Sequence, residues 1–199
     1  MPQLKFLHGT MSCGKSSLAL QHHYHQSKRG RQGLLITCGD RAGAGIVTSR
    51  TGLQADAVDI DVLTDVRWLV ESHDRVDYLV VDEAQFLTPF QVEELAWLVD
   101  HEDLDVTCVG LTTDFRTNLF EGSKRLLELS DVVQKLQVEG LCWCNAVATQ
   151  NARVREDRTI ISEGETMVIG DTEFGVTDGG EVFSYELLCR KHHLEGNTG

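Results

Sequence analysis

Gln3-Leu4-Lys5-Phe6-Leu7-His8-Gly9-Thr10-Met11-Ser12-Cys13-Gly14-Lys15-Ser16 is the stretch on which the fold turns. Residues 3–8 read as a short strand running into a glycine, and 15–29 read as a helix that stops at Gly30. Between them, 9–16 fits G-x-x-x-x-G-K-[ST] at every fixed position. The glycines let backbone N–H groups turn inward around phosphate oxygens, and the helix start adds its positive dipole end. Gly9, Thr10, Met11, Ser12, Cys13, Gly14, Lys15 and Ser16 are therefore candidate nucleotide-binding residues. Lys15 is expected at the β- and γ-phosphates and the Ser16 hydroxyl on Mg²⁺. Cys13 fills an unspecified position of the motif.

Outward from this loop, strands and helices alternate. Residues 34–37 read as a second strand, 39–52 as a glycine-rich loop, and 62–72 as a helix with Val62, Val66, Leu69 and Val70 on one side. The strongest strand is 78–82. Thr88-Pro89 opens a helix to about Asp100, with a capping hydroxyl and proline at the first helical position. A strand over 106–109, a helix over 123–130 and a strand over 132–138 follow. This order predicts an α/β fold: a mostly parallel sheet with helices on both faces. After 138 the helical periodicity fades, and short β-like pieces stand at 166–170 and 181–188. The expected organisation is a nucleotide-binding domain over 1–138, a smaller domain over 139–195 and a disordered tail over 196–199.

The chain has 199 residues, and 18 Lys and Arg against 31 Asp and Glu leave a net charge of −13. Nucleic-acid binders carry a basic stripe, because phosphate neutralisation supplies much of their affinity. The acidic balance argues against nucleic acid as a partner. No run approaches the roughly 18 apolar residues of a membrane span, and 1–9 lacks a signal pattern, so a cytoplasmic location with no membrane partner is expected.

A second, acidic site is expected where an apolar strand ends in a carboxylate. Leu79-Val80-Val81 runs into Asp82 and Glu83. Asp82 at the strand end suits Mg²⁺, and Glu83 suits a base toward an attacking hydroxyl. If water attacks, the protein is an ATPase; if a substrate hydroxyl attacks, it is a kinase. A nucleic-acid-stimulated P-loop ATPase is the alternative, since Asp82-Glu83-Ala84-Gln85 also resembles a helicase box. That reading calls for a second motor domain and a basic groove.

Six cysteines are present. Cys38 and Cys108 sit in apolar runs and read as small core residues. Cys142-Trp143-Cys144 and Cys189-Arg190-Lys191-His192 form a C-x-C and C-x-x-H set. Four such ligands describe a closed structural Zn²⁺ site. His193 is the rival fourth ligand, and reduced thiols beside a surface histidine are the bland reading. His22, His23 and His25 read as a polar helix face.

The P-loop, Asp82-Glu83-Ala84-Gln85-Phe86, Thr113-Asp114-Phe115-Arg116, C-x-C and C-x-x-H, in this order, resemble the bacterial type II thymidine kinases. The resemblance runs from Leu4 to about His192. It implies a RecA-like P-loop domain followed by a zinc-pinned domain whose long loop forms a lasso over thymidine. Carried over, Glu83 is the proton acceptor for the 5′-hydroxyl and Asp82 the Mg²⁺ acid, with Ala84 and Gln85 in the same nucleotide-side motif. Met11, Phe86, Leu111, Phe115 and Phe120 match positions lining the nucleoside pocket, and Tyr185 matches the lasso aromatic near the sugar. Arg116 follows Phe115 as in the bacterial members. Cys142, Cys144, Cys189 and His192 match the zinc ligands. The implied partners are ATP and thymidine, with thymidine triphosphate as inhibitor, in a homotetramer. Two departures stand out: Gly39 replaces an acidic residue in a shortened stretch before Asp40 and Arg41, and 170–181 is longer than the matching lasso segment.

Overall fold

In a computed structural model, residues 1–39, 45–164, 166, 176–178 and 181–199 are described. The elements in chain order are β1 (Leu4–His8), α1 (Lys15–Lys28), β2 (Gly33–Cys38), β3 (Ile46–Thr48), β4 (Gln54–Asp56), β5 (Val58–Ile60), α2 (Val66–Glu71) and β6 (Tyr78–Asp82). A single 3₁₀ turn (Ala84–Phe86) follows, then α3 (Pro89–Glu102), β7 (Asp105–Gly110), α4 (Glu121–Leu129), β8 (Val132–Lys135), β9 (Gln150–Arg155), β10 (Val176–Asp178), β11 (Glu181–Leu188) and α5 (Arg190–Glu195). Contacts divide the chain into two compact units. The first is Met1–Gly9, Gly14–Leu111 and Phe120–Leu136; the second is Thr10–Cys13, Thr112–Leu119 and Gln137–Gly199.

The first unit is built on a six-stranded sheet in the order β5-β2-β6-β7-β1-β8, parallel at every pairing. All five residues of β6 are buried, as the central strand of a two-sided sheet requires. Alternate side chains go to opposite faces. Leu79 and Val81 pack into a core with Val66 and Val70 of α2, Val92, Leu95 and Leu98 of α3, and Leu126 of α4. Tyr78 and Val80 join Ala19 and Leu20 of α1 in the other core. Helices therefore cover both faces, and the parallel pairing brings the carboxyl ends of β1 and β6 to one edge, where open α/β sheets bind ligands. β1 feeds the phosphate loop there, and β6 delivers Asp82.

Local chemistry explains the boundaries. Thr88 caps α3 in a full capping box: Gln91 N–H donates to Thr88 Oγ1 at 3.2 Å, and Thr88 N–H donates to Gln91 Oε1 at 2.9 Å. The helix expected over 62–72 is shorter, because Asp65 accepts from Trp68 N–H at 2.7 Å and starts the helix at Val66. Val62 consequently lies outside it, 55% exposed. The loop expected over 39–52 contains β3, paired antiparallel with β4, and β5 adds an edge strand whose three residues gave no pattern to read. Asp40, Arg41 and most of 170–181 lie outside the described residues.

In the second unit the described strands form an antiparallel sheet, β10-β11-β9, with Tyr185 directly opposite Arg153. β9 and α5 were not anticipated from sequence. The tail corrects the expectation of disorder: Thr198 is buried and its hydroxyl donates to Arg158 O at 2.9 Å, while Trp143 Nε1 donates to Asn197 O at 3.2 Å. Polar backbone that finds such partners loses its reason to stay solvated.

Candidate active site and metal centre

In the first unit, α1 begins right after Gly14, whose φ of 84° lies in the left-handed region that glycine enters without a Cβ penalty. Lys15 is buried at the start of that helix. The Ser16 hydroxyl hydrogen-bonds to the Asp82 carboxylate. Asp82 is 3% exposed, and its Oδ1 has no hydrogen-bond partner. Burial, and then the neighbouring Glu83 charge, push its carboxyl up to about 6 despite the Ser16 bond and the Lys15 cation. A buried carboxylate oxygen with an open lone pair beside a hydroxyl is the donor set of a Mg²⁺ site, so these residues fit that ion.

Glu83 adopts φ 53° and ψ 37°. A non-glycine residue held in this region carries about 1 kcal/mol or more of strain, a cost found mainly at functional positions. The strain turns the chain off β6 and into the 3₁₀ turn. Gln85, 2% exposed, then fixes the carboxylate: its Nε2 donates to Glu83 Oε2 at 2.6 Å, and its Oε1 accepts from Leu111 N–H at 3.0 Å. α4 presses close to this turn because Gly122 has no side chain; a Cβ there would stand 2.9 Å from Gln85 O. Phe86 and Phe120 meet edge to face at 5.6 Å between ring centroids, and Ser123 Oγ donates to Leu111 O at 2.5 Å.

In the second unit, β9 turns Asn151 and Arg153 to one face. Arg153 is 1% exposed, and its guanidinium lies 4.1 Å from the centre of the Phe115 ring and 4.5 Å from that of Phe183. It also donates to the Tyr185 hydroxyl from Nε at 3.2 Å and from Nη2 at 2.9 Å. Arginine suits this place because its plane stacks on rings while its edge donates. Phe115 sits in a loop organised by Asp114, which accepts from the N–H groups of Arg116 and Asn118 and pairs with the Arg116 guanidinium at 3.2 Å. Asn151 Oδ1 accepts from Met11 N–H at 2.9 Å.

The opposite face of β9 lies beside the cysteines. Ala152 and Val154 pack with Cys142 and Leu188, next to Cys144 and Cys189. Cys142 and Cys144 stand on a tight turn closed by Asn145 N–H donating to Cys142 O, with Asn145 at φ 65°. Cys189 precedes the first turn of α5, and His192 is in that turn. The ligand atoms of Cys142, Cys144, Cys189 and His192 all lie within 4.8 Å of one another. His192 Nδ1 is 3.4 Å from Cys142 Sγ and 3.5 Å from Cys189 Sγ. Tetrahedral Zn²⁺ with bonds of about 2.0–2.3 Å spaces its ligands at roughly 3.5–3.8 Å, so the four residues fit the ion. Burial alone would push the Cys142 thiol up; hydrogen bonds from the backbone N–H groups of Cys144 and Cys189 and from His192 bring it down to about 6, the thiolate state a metal requires. His193, the rival ligand, instead meets Phe115 O through Nε2 at 2.9 Å.

A family model described as thymidine kinase matches residues 2–193. The thymidine kinase of Streptomyces avermitilis is 50% identical over 202 positions, covering 100% of this chain and 91% of that protein. That of Streptomyces coelicolor is 49% identical with the same coverage, and that of Cutibacterium acnes 44% identical over 203 positions, again with 100% and 91% covered. The chain belongs to the thymidine kinase family.

Against this family background, the first unit brings together Lys15, Ser16, Asp82, Glu83, Ala84 and Gln85, with Phe86, Leu111 and Phe120 around the turn that follows. The second holds Thr10, Met11, Ser12 and Cys13, Phe115 and Tyr185, and the Cys₃His cluster. Sequence reasoning missed Asn151, Arg153 and Phe183. The available signal was an asparagine and an arginine two apart in a short alternating run, which acquires meaning only once β9 is known to be a strand.

Proposed function

We propose that this chain transfers the γ-phosphate of ATP to the 5′-hydroxyl of thymidine, giving thymidine monophosphate for nucleotide salvage, with deoxyuridine as a secondary substrate. The observation that carries this reading is the 50% identity to a thymidine kinase along the full length of the chain. Two acids at the end of β6 support it chemically, since one suffices for the metal ion and the other is left for the hydroxyl.

In this reading, Gly9 to Ser16 receive the ATP phosphates, with Lys15 at the β- and γ-phosphates. Ser16 and Asp82 hold Mg²⁺, which neutralises phosphate charge. Glu83, aimed by Gln85, accepts the proton of the 5′-hydroxyl. As the oxygen–phosphorus bond forms, the bond to the β-phosphate oxygen breaks and ADP leaves. Met11, Phe86, Leu111, Phe115, Phe120 and Tyr185 line the nucleoside pocket, where apolar walls hold a flat base. Zn²⁺ on Cys142, Cys144, Cys189 and His192 pins the domain over 139–195, and thymidine triphosphate, a homotetramer and a cytoplasmic location complete the proposal.

The test is transfer of labelled γ-phosphate from Mg-ATP in the presence of thymidine, deoxycytidine, deoxyadenosine or water. Labelled thymidine monophosphate in clear excess is the expected result. Release of free phosphate with no labelled nucleoside overturns the reading.

A further inference from the structure

Met11 is the third residue of the phosphate loop, and its N–H is already committed. It donates to Asn151 Oδ1 at 2.9 Å, across 140 positions of sequence, in a buried bond. Asn151 itself is 5% exposed. The segment Thr10–Cys13 packs with the second unit, whereas Gly9 before it and Gly14 after it pack with the sheet unit.

This loop needs a grip. Ser12 takes φ 61° and Gly14 φ 84°, two left-handed residues within three positions, and a non-glycine residue holds such a conformation only when its surroundings over-determine it. A buried N–H must also be paired, and asparagine offers a short, uncharged acceptor that adds no repulsion toward phosphates. The mount is firm. Asn151 lies in β9, paired with β11, and the apolar face of β9 is packed against Cys142 and Leu188. Arg153, two residues on, is locked between Phe115 and Phe183. Strands hold a side chain more tightly than loops do.

We propose that Asn151 is a positioning residue for phosphoryl transfer: from β9 it holds the Met11 N–H and so sets the phosphate-loop conformation in which ATP is received. The turnover readout rests on the thymidine kinase reading; the ATP-binding readout rests on phosphate-loop chemistry alone.

The experiment compares the full chain with Asn151→Leu, which keeps the shape and loses the acceptor, and Asn151→Ser, which is smaller and keeps an acceptor oxygen. The dissociation constant of Mg-ATP, kcat, both KM values and zinc content are measured. Expected for Asn151→Leu is a rise of about tenfold in the Mg-ATP dissociation constant and KM, with a lower kcat, while the KM for thymidine and the zinc content stay within about twofold. Asn151→Ser is expected to recover part of the ATP affinity despite its smaller volume. The proposal is overturned if Asn151→Leu binds and turns over ATP like the parent. It is equally overturned if the serine variant is the worse of the two for ATP, since packing and not the acceptor would then be the cause. Should Asn151→Leu not fold, Asn151→Ala against Asn151→Ser decides by the same ordering. If the parent chain phosphorylates no thymidine, the kinase reading falls, and the ATP dissociation constants still decide the role of Asn151.

Discussion

Glu83 and Asp82 are neighbours in sequence with opposite requirements, and their surroundings separate them. Glu83 leaves the strand in a left-handed conformation and is steadied by Gln85, whereas Asp82 stays buried with one oxygen unpartnered. Glu83→Gln preserves the shape and removes the proton acceptor. It is expected to lower kcat by about 10²–10⁴-fold with both substrates still bound, measured by steady-state kinetics and titration calorimetry. For Asp82, the native carboxyl titrates near 6 against an ordinary 3.8, so without Mg²⁺ the folded protein binds that proton more readily than the unfolded chain. Its contribution to stability is complete below 3.8 and is lost as pH rises through about 6. In metal-free buffer, Asp82→Asn is therefore expected to be more stable than the parent at pH 8, by up to about 3 kcal/mol, with the gain vanishing toward pH 4 in urea unfolding. Adding Mg-ATP at pH 8 is expected to reverse the order, because only the carboxylate binds the cation.

Among the elements, α3 and β9 each do two jobs through single side chains. Gln91 completes the capping box of α3, and its Nε2 also donates to Asp61 O at 2.7 Å and Thr64 O at 3.0 Å, tying the approach to α2 onto α3. Thr88→Ala removes one side of the box and is expected to cost about 1 kcal/mol, read as a lower urea midpoint with an unchanged slope. Gln91→Leu is expected to cost more, since it takes a donor from Thr64 O and one of two donors from Asp61 O, which keeps Thr64 N–H, as well as the cap. β9 shows the sheet version of the same economy: Asn151 and Arg153 serve one face, while Ala152 and Val154 serve the cysteine side. The capping signal was legible because Thr-Pro and Gln stand at fixed local offsets. β9 was not, since the Asn-Ala-Arg-Val alternation is only four residues long and its strand character depends on pairing with β11.

At the scale of the whole molecule the two units rest on different means. The first has layered cores on both faces of a six-stranded sheet. The second has, among the described residues, a smaller cluster around Cys142, Ala152, Val154 and Leu188, which offers less apolar packing than the layered cores of the first. The proposed Zn²⁺ supplies the difference. Cys189→Ser is expected to lower bound zinc from about one per chain toward zero by elemental analysis, and to open sites of limited proteolysis within 137–199 before any within β6 or β7. Full zinc retention in that variant would remove Cys189 from the ligand set.

What the sequence determined alone is the chemistry whose parts lie close along the chain. The phosphate loop, the Asp82-Glu83 pair, the C-x-C and C-x-x-H pairs and the alternation of strands and helices all depend on spacings of a few residues, which backbone geometry converts directly into shared faces and turns. Only the tertiary structure decided the matters that hinge on distant partners. It drew His192 into the cysteine cluster and sent His193 to Phe115 O. It packed the tail beside Trp143 and Arg158. It also set Asn151 against the Met11 N–H. A hydrogen bond across 140 residues leaves no local trace, because the fold alone brings its donor and acceptor together.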